Sequence, residues 1–386
     1  MATGTRTTAT DSNLKRPSVG DMIHMIDWTE AALLRKFGVN NEKRFRLLNW
    51  PQVKVEWLED ALSAVTTTTT EALDASETGI DVADGTLFKR GDVVKIADEL
   101  SLVSSVASNT LTVIRGYAGS TAATHSTAAT IDIVTEAQAE GATFVSGHST
   151  LKTRPYNYTQ IFSQRIDVTR SQQKVADYAV ADTLAYELTK LIGGNSTTGG
   201  KFKAGTEPIK LQKTFYHGLR NGDPGDDGNR SMGGFNQFAT TNVTDAASAA
   251  LTRGMAEGLL ETIFLAGGQP DCMICNTWPF VKFRNMFEGN LTSDTSSERG
   301  GSRITMLRLP WGGQDIEILF DRFCPNDEIY IVESDKVGWV TFDPFHTQDV
   351  NTSGQDGVAK ALVGEYSFVL VNPAAHGRIH NISTTT

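Results

Sequence analysis

Only three cysteines occur in the 386 residues, too few for a disulfide framework in a chain of this length. No run approaches the roughly 20 consecutive apolar residues that a membrane-spanning helix needs. The N-terminal stretch MATGTRTTATDSNLKRPS has no apolar core of the kind a signal peptide carries. Together these absences point to synthesis and assembly in a reducing cytoplasm. Positive charge is also in short supply: 35 Lys and Arg stand against 45 Asp and Glu, a net charge of −10. A body that grips nucleic acid nonspecifically needs clustered Lys and Arg to displace counterions, so this composition argues against one. Met1–Trp50 departs from the balance, with eight basic against five acidic side chains, a mild excess of the kind a solvated arm carries.

Catalytic patterns are missing as well. Seven histidines form no H-E-x-x-H arrangement, and no G-x-S-x-G elbow offers a serine nucleophile. In GGNSTTGGKF, Gly194 and Gly199 have the separation of a phosphate loop, but Gly200 stands where the motif needs Lys and Phe202 follows Lys201. A helix-end loop accounts for it better. Cys272 and Cys275 have C-x-x-C spacing, yet zinc needs two further ligands and Cys324 stands alone, so a buried strand is the plainer reading. His376 and His380 lack a nearby carboxylate in sequence; Asp223, Asp226 and Asp227 miss the ligand ladder of an EF-hand. Glu56, Glu59 and Asp60 flank Trp57, but paired carboxylates mean glycosidase chemistry only when a fold sets them across a cleft. No residue is assigned a catalytic, metal-binding or cofactor-binding role.

What is present is a sequence of structural parts. Asp21–Gly38 has rough helical spacing of Ile23, Ile26, Ala31, Leu34 and Phe37 and reads as an arm able to lie across a partner. Val53, Val55 and Trp57 alternate as a strand, and the Thr66–Thr70 run reads as a β-prone linker. Short strands follow at GIDVAD, GDVVKIA, SLVSSVA, NTLTVIRG and ATIDIVT, punctuated at Asp84-Gly85, Arg90-Gly91 and Ser108-Asn109, which is the pattern of a small barrel or sandwich. The return limb alternates through Phe162, Ile166 and Val168 into a capping box, Thr169 to Gln172, and one long helix is expected over 169–192. Residues 195–234 read as a Gly-, Asn- and Asp-rich loop, 245–265 and the segment from Thr277 as helices, and the rest as strands. The class is α+β. Large rings concentrate on the extended segments. Trp28, Trp57, Tyr156 and Tyr158, with Arg154 beside them, are candidate subunit contacts, the alternative being that they pack within their own domain.

NWPQVKVEWLEDAL, GDVVKI…LTVIRGYAGSTAATHS, YNYTQIFSQRIDVTRSQQ and VGEYSFVLVNPAAHGRI, in this order, resemble the major capsid proteins of tailed bacteriophages with the Hong Kong ninety-seven fold, in the group with a small β insertion in the extended loop. The resemblance covers the chain from about Asp21. It implies an N-terminal arm (1–50), extended-loop limbs (51–70 and 136–168), an inserted β domain (71–135), a peripheral domain with a spine helix (169–271 and 344–386, spine 169–192) and an axial domain (272–343). It also implies a protein that is not an enzyme and self-assembles through pentamers and hexamers into an icosahedral shell. Double-stranded DNA would be enclosed rather than specifically bound, and an acidic wall suits that task because it repels the polymer. Portal, scaffolding and decoration proteins are candidate partners, with the virion capsid as location and the host bacterial cytoplasm as the place of assembly. Rival readings are an encapsulin-like shell and a carbohydrate-binding or adhesive virion protein.

Overall fold

A computed structural model describes residues 31–38, 51–143, 150–175, 180–193, 204–222, 228–286, 306–308, 315–351, 353–354 and 356–384. The chain divides into two units, Leu58–Arg154 and the remainder, which the smaller unit interrupts. The larger unit starts with α1 (Ala32–Phe37) and, before the interruption, β1 (Lys54–Glu56).

In the smaller unit the strands are β2 (Thr66–Thr68), β3 (Gly79–Asp81), β4 (Asp92–Ile96), β5 (Glu99–Ala107), β6 (Thr110–Ile114) and β7 (Thr130–Glu136), in the order β2-β7-β4-β5-β6-β3. The two ends of that order also meet: Thr70 donates to the Asp81 carbonyl and Ala83 to the Thr68 carbonyl, each at 2.9 Å. The sheet therefore closes into a barrel and has no open edge. The Thr run is not a linker but contributes the first barrel strand, because β-branched side chains suit a pleated wall. Alternate residues fill the interior, among them Ile80, Val94, Ile96, Val103, Leu111, Val113 and Ile131. Asp84-Gly85 marks a close approach as well as a turn. A Cβ on Gly85 would stand 2.0 Å from the Ser108 carbonyl oxygen, and only glycine fits there.

The larger unit resumes with β8 (Tyr156–Tyr158), β9 (Gln160–Thr169), α2 (Arg170–Lys174), α3 (Thr183–Ile192), α4 (Thr206–His217), α5 (Phe235–Phe238), β10 (Val243–Asp245) and α6 (Arg253–Leu265). Then come β11 (Cys272–Cys275), α7 (Thr277–Met286), β12 (Met306–Arg308), β13 (Asp315–Phe320), β14 (Ile329–Val332), β15 (Val337–Asp349), β16 (Gly357–Leu370) and β17 (Gly377–His380). A mixed sheet has the order β10-β17-β14-β11-β13-β12, an antiparallel one β15-β16-β9, and β1 pairs with β8. The mixed α+β class is as expected from the sequence.

Several expected boundaries differ. The helix over 169–192 is not continuous. Thr169 does cap a helix, accepting from Gln172 N at 3.3 Å, but Val175 is extended and Asp182 starts a new helix by accepting from Leu184 N and Ala185 N. A second local cap outcompetes continuation of the first helix. Asp245 likewise ends a strand, paired with β17, and positive φ at Ala247 and Ser248 delays the helix to Arg253, capped by Thr252. The stretch read as loop over 195–234 contains α4, whose Glu207 and Pro208 sit in the first turn, where an acidic side chain and a missing N–H are both favourable. The boundary placed at 343 falls inside β15.

The described part of the arm does not stand free: Ala31–Leu34 and Phe37 are buried in this unit's own core, and Lys36 Nζ lies 2.5 Å from Glu317 Oε2. Phe215 of α4 is the centre of that core. Its ring lies 5.0–6.4 Å, centroid to centroid, from those of Phe37, Tyr216, Phe235, Tyr330, Trp339 and Phe368. Those partners come from α1, α4, α5, β14, β15 and β16. We predict that Phe215→Ala destabilises the unassembled chain by about 3–5 kcal/mol, and Phe215→Leu by clearly less. Urea unfolding followed by tryptophan fluorescence measures both, and a loss below about 1 kcal/mol for the alanine variant would contradict the central role.

Candidate functional site

The residues that looked most like chemistry resolve into packing. Along β11 the side chains alternate, so Cys272 and Cys275, three apart, face opposite sides of the sheet: Cys272 joins the Phe215 core and Cys275 the core under α6. They cannot converge on one metal. Both are buried, and burial pushes the Cys275 thiol up to about 12 and raises those of Cys272 and Cys324 further. Thiols held protonated in this way are inert. Among the described residues no three His, Cys, Asp or Glu side chains come together as a metal site. Glu56 pairs with Lys54 at 2.5 Å. The Gly194–Phe202 segment and Asp223, Asp226 and Asp227 lie outside the described residues.

His376 is fully buried just before β17. Its Nδ1 accepts from Glu333 N at 3.2 Å and its Nε2 lies 3.2 Å from the Val371 carbonyl, which fixes a neutral ring protonated at Nε2. Burial is the main cause of its depressed pKa, about 4, with the Val371 carbonyl opposing the shift. His380 is half-buried, its Nδ1 4.0 Å from Asp245 Oδ1.

Of the proposed contact residues, Tyr156 and Tyr158 sit on a short two-stranded ladder, Lys54↔Tyr158, Val55↔Asn157 and Glu56↔Tyr156. Trp57 is buried within its own unit. It packs with Val55, Val340 and Val369, and its ring meets Phe238 edge-on at 5.6 Å. Tyr156 is half-buried between two cations, with Lys54 Nζ and the Arg220 guanidinium each 4.2 Å from its ring centroid. Arg220 Nη1 also donates to the Tyr156 carbonyl at 2.9 Å. Tyr158 stands edge-on to Tyr156 at 5.7 Å, its ring occupying the space a Cβ on Gly222 would need. Arg154 is exposed at the end of the other unit, and Trp28 lies outside the described residues. The structure thus brings Tyr156 and Tyr158 together and sets Trp57 in a separate apolar cluster.

Two polar residues missed in the sequence do much of the positioning. Asn157, between the tyrosines, is fully buried. Its Nδ2 donates to the carbonyls of Gly233 (3.0 Å) and Phe368 (2.6 Å), while its Oδ1 accepts from Gly233 N and Tyr158 N, both at 2.9 Å. All four groups of the amide are used, which pins β8 to β16 and to the turn before α5. In the barrel unit the corresponding centre is Glu99. It takes Arg115 Nε at 2.5 Å and Nη2 at 2.7 Å, Ala123 N at 3.0 Å and His125 Nε2 at 3.0 Å. Arg115 also donates to the carbonyls of Asp74, Glu77 and Ala123. The signal was the RGYAGSTAATH stretch, which supplies three members of this network. Burial alone would raise the Glu99 carboxyl, but the guanidinium, the Ala123 amide and the imidazole outweigh it and hold it well below the usual carboxylate range. These arrangements hold loops and strands in place; neither pairs a nucleophile with a base.

A sequence profile of the SU10 major capsid protein family matches residues 2–194 and 203–383. Among solved structures, the chain is similar to the one described as the capsid asymmetric unit of cyanophage A-1(L), with 12% identity and a TM-score of 0.58 over 98% of this chain and 100% of that one. It is similar to the capsid of a native GTA particle, at 10% identity and a TM-score of 0.53 over 98% and 99% of the two chains. A Mycobacterium phage Bobi structure gives 11%, 0.50, 97% and 98% on the same measures. At these identities the likeness is one of fold. No curated protein sequence matches the chain.

Glu99→Gln should leave Arg115 buried without its charge partner and destabilise the barrel unit by about 3–5 kcal/mol. Hydrogen exchange on the full chain would show the loss in amides of 66–136, and protection there equal to wild type would refute it. The ion pair's contribution is present above the ordinary carboxylate pKa and is lost as pH falls below it. For His376 the unfolded ring protonates near pH 6.5 and the folded one near 4. Stability is therefore full above about pH 6.5 and falls as pH drops towards 4, by up to about 3 kcal/mol. The test is an NMR titration of the His376 ring, where a midpoint near 6.5 would contradict the assignment.

Proposed function

The chain belongs to the SU10 major capsid protein family, and from that premise we propose that its copies assemble through pentamers and hexamers into an icosahedral shell enclosing double-stranded DNA. The observation that carries this reading is the family match along nearly the whole chain; the capsid fold of the solved structures supports it. Copies meet head to tail, and a rotation that closes makes five- and six-membered rings rather than filaments. The DNA is held by enclosure. A net charge of −10 makes a wall that repels the polymer instead of gripping it. Assembly takes place in the host cytoplasm, with a portal and separate scaffolding or decoration proteins as further partners.

In this reading 1–50 is the arm, the stretches flanking the barrel are the limbs of an extended loop, and the barrel is an insertion in that loop. Residues 169–271 and 344–386, with α6 and the C-terminal strands, form the peripheral domain, and 272–343, with β11 to β14 and α7, the axial one. Trp28, Trp57, Arg154, Tyr156 and Tyr158 act in subunit contacts, Trp57 through the backbone it holds in place and the tyrosines through their exposed edges. The protein's role is structural. Single contacts can be weak, because closure repeats them many times per particle.

Electron microscopy of the purified chain tests the reading. Closed particles or rings of five and six are expected, and a protein that remains monomeric at high concentration would overturn it. Particles isolated from infected cells should carry nuclease-protected double-stranded DNA, which an encapsulin-like compartment would not.

A further inference from the structure

A groove of about 410 Å³ opens in the larger unit beside the exposed face of α4, lined in part by Lys210, Lys213, His217, Leu219 and Met232. Lys210 is matched by Glu207, 2.6 Å away. Lys213 lies 5.1 Å above the Phe323 ring and makes no ion pair among the described residues. Leu219, on the lining, is 71% exposed. The groove is thus apolar, with one lysine that makes no ion pair among the described residues, in a chain whose net charge is negative.

The complementary surface is on the barrel unit, in the limb that precedes β2. Glu59 and Thr153 exchange backbone hydrogen bonds at 3.0 and 2.9 Å, so the backbone at Glu59 is extended and alternate side chains share a side. Leu58 and Asp60 therefore fall on one side, Leu62 follows two residues on, and the leucines are 66% and 97% exposed. Leu151 on the returning limb is 89% exposed. Asp60 accepts from Ala61 N and Thr150 Oγ1 but makes no ion pair among the described residues. Leu58, Leu62 and Leu151 place exposed apolar surface beside a carboxylate on this limb, the composition an acceptor groove with a cation would match.

We propose that the Leu58-Asp60-Leu62 face of one copy docks in the α4 groove of a second copy, with Asp60 against Lys213 and a leucine in the apolar part of the groove. The inference rests on the shell reading and deepens it by naming a donor and an acceptor surface. The two surfaces differ, so the contact is head to tail, the kind that closes rings. The match is one of charge and of kind: a carboxylate beside exposed leucines and an ammonium in an apolar groove, each without an ion pair among the described residues. One exposed ion pair is worth little alone, but reversing its sign in every copy repeats the penalty at each contact.

Lys213→Glu and Asp60→Lys are each expected to weaken the contact between copies about tenfold, or about 1.4 kcal/mol per contact, and to lower particle yield by at least that factor because the loss recurs at every contact; the two together in one chain are expected to restore it. Both positions are exposed and outside the cores, so folding is checked by circular dichroism and is expected to be unchanged. To show that the contact joins two copies, a chain with Lys213→Cys is co-assembled with a differently sized tagged chain carrying Leu62→Cys and treated with a short bismaleimide. A cross-linked species with the summed mass is expected from the mixture and from neither chain alone. Particles that form normally with either single reversal and give no cross-link would overturn this docking while leaving the shell reading intact. Failure of the unsubstituted chain to form any particle would overturn both.

Discussion

Burial of the Phe215 ring is the constraint on which the larger unit depends. Six rings from α1, α4, α5, β14, β15 and β16 surround it, so one side chain ties α1, the two main sheets and the helix that carries it. Aromatic pairs of this kind prefer edge-on or offset geometry and resist rearrangement, since each ring is set by several others. Tyr216, next along α4, continues the core with its hydroxyl donating to Asp321 at 2.5 Å. The exposed side of the same helix carries Lys210 and Lys213. One helix therefore fixes the fold with one face and presents two lysines beside an apolar groove with the other.

The barrel unit solves a different problem. Its interior is a modest set of aliphatic side chains, and much of its loop order comes from Glu99 and Arg115. A buried ion pair is a poor source of net stability, because desolvation offsets most of the attraction. It is a strong source of position: each guanidinium nitrogen and each carboxylate oxygen has a fixed partner, and the loops at 74–77 and 115–125 must meet them. The geometry fits a unit whose surface loops need one arrangement and whose core is small.

Much of this was legible in the sequence where the physics is local. The strands at 92–96, 99–107, 110–114 and 130–136 follow two-residue alternation with glycine, asparagine or aspartate at the turns. Thr169 capped a helix as its spacing predicted, but the helix stopped within two turns because Asp182 began another. α4 was hidden by the Gly-, Asn- and Asp-rich stretches on both sides of it, although Glu207, Pro208 and the closing Gly218 were its own signals. The site was less legible. Tyr156, Tyr158 and Trp57 stand out as large rings, yet what places the tyrosines is the Asn157 amide, whose partners lie 76 and 211 residues away. Contacts at such separations leave no local pattern.

A protein held at high local concentration beside copies of itself must also avoid pairing through the wrong edges. Every open strand edge is a template for unwanted association. The barrel removes its edges by closing. In the three-stranded sheet, the β15 edge carries Pro344, which has no N–H to donate, and two register shifts against β16. On β9, the opposite edge carries Arg165 and Asp167, paired at 2.8 Å in solvent, and charges there disfavour a flat apolar approach. Where backbone edges are closed or blunted, as in the barrel and the three-stranded sheet, association falls to side-chain surfaces, where charge and shape select one neighbour and one orientation. A shell of fixed curvature needs that selectivity more than it needs strong contacts, because a strong contact in the wrong register would be hard to undo.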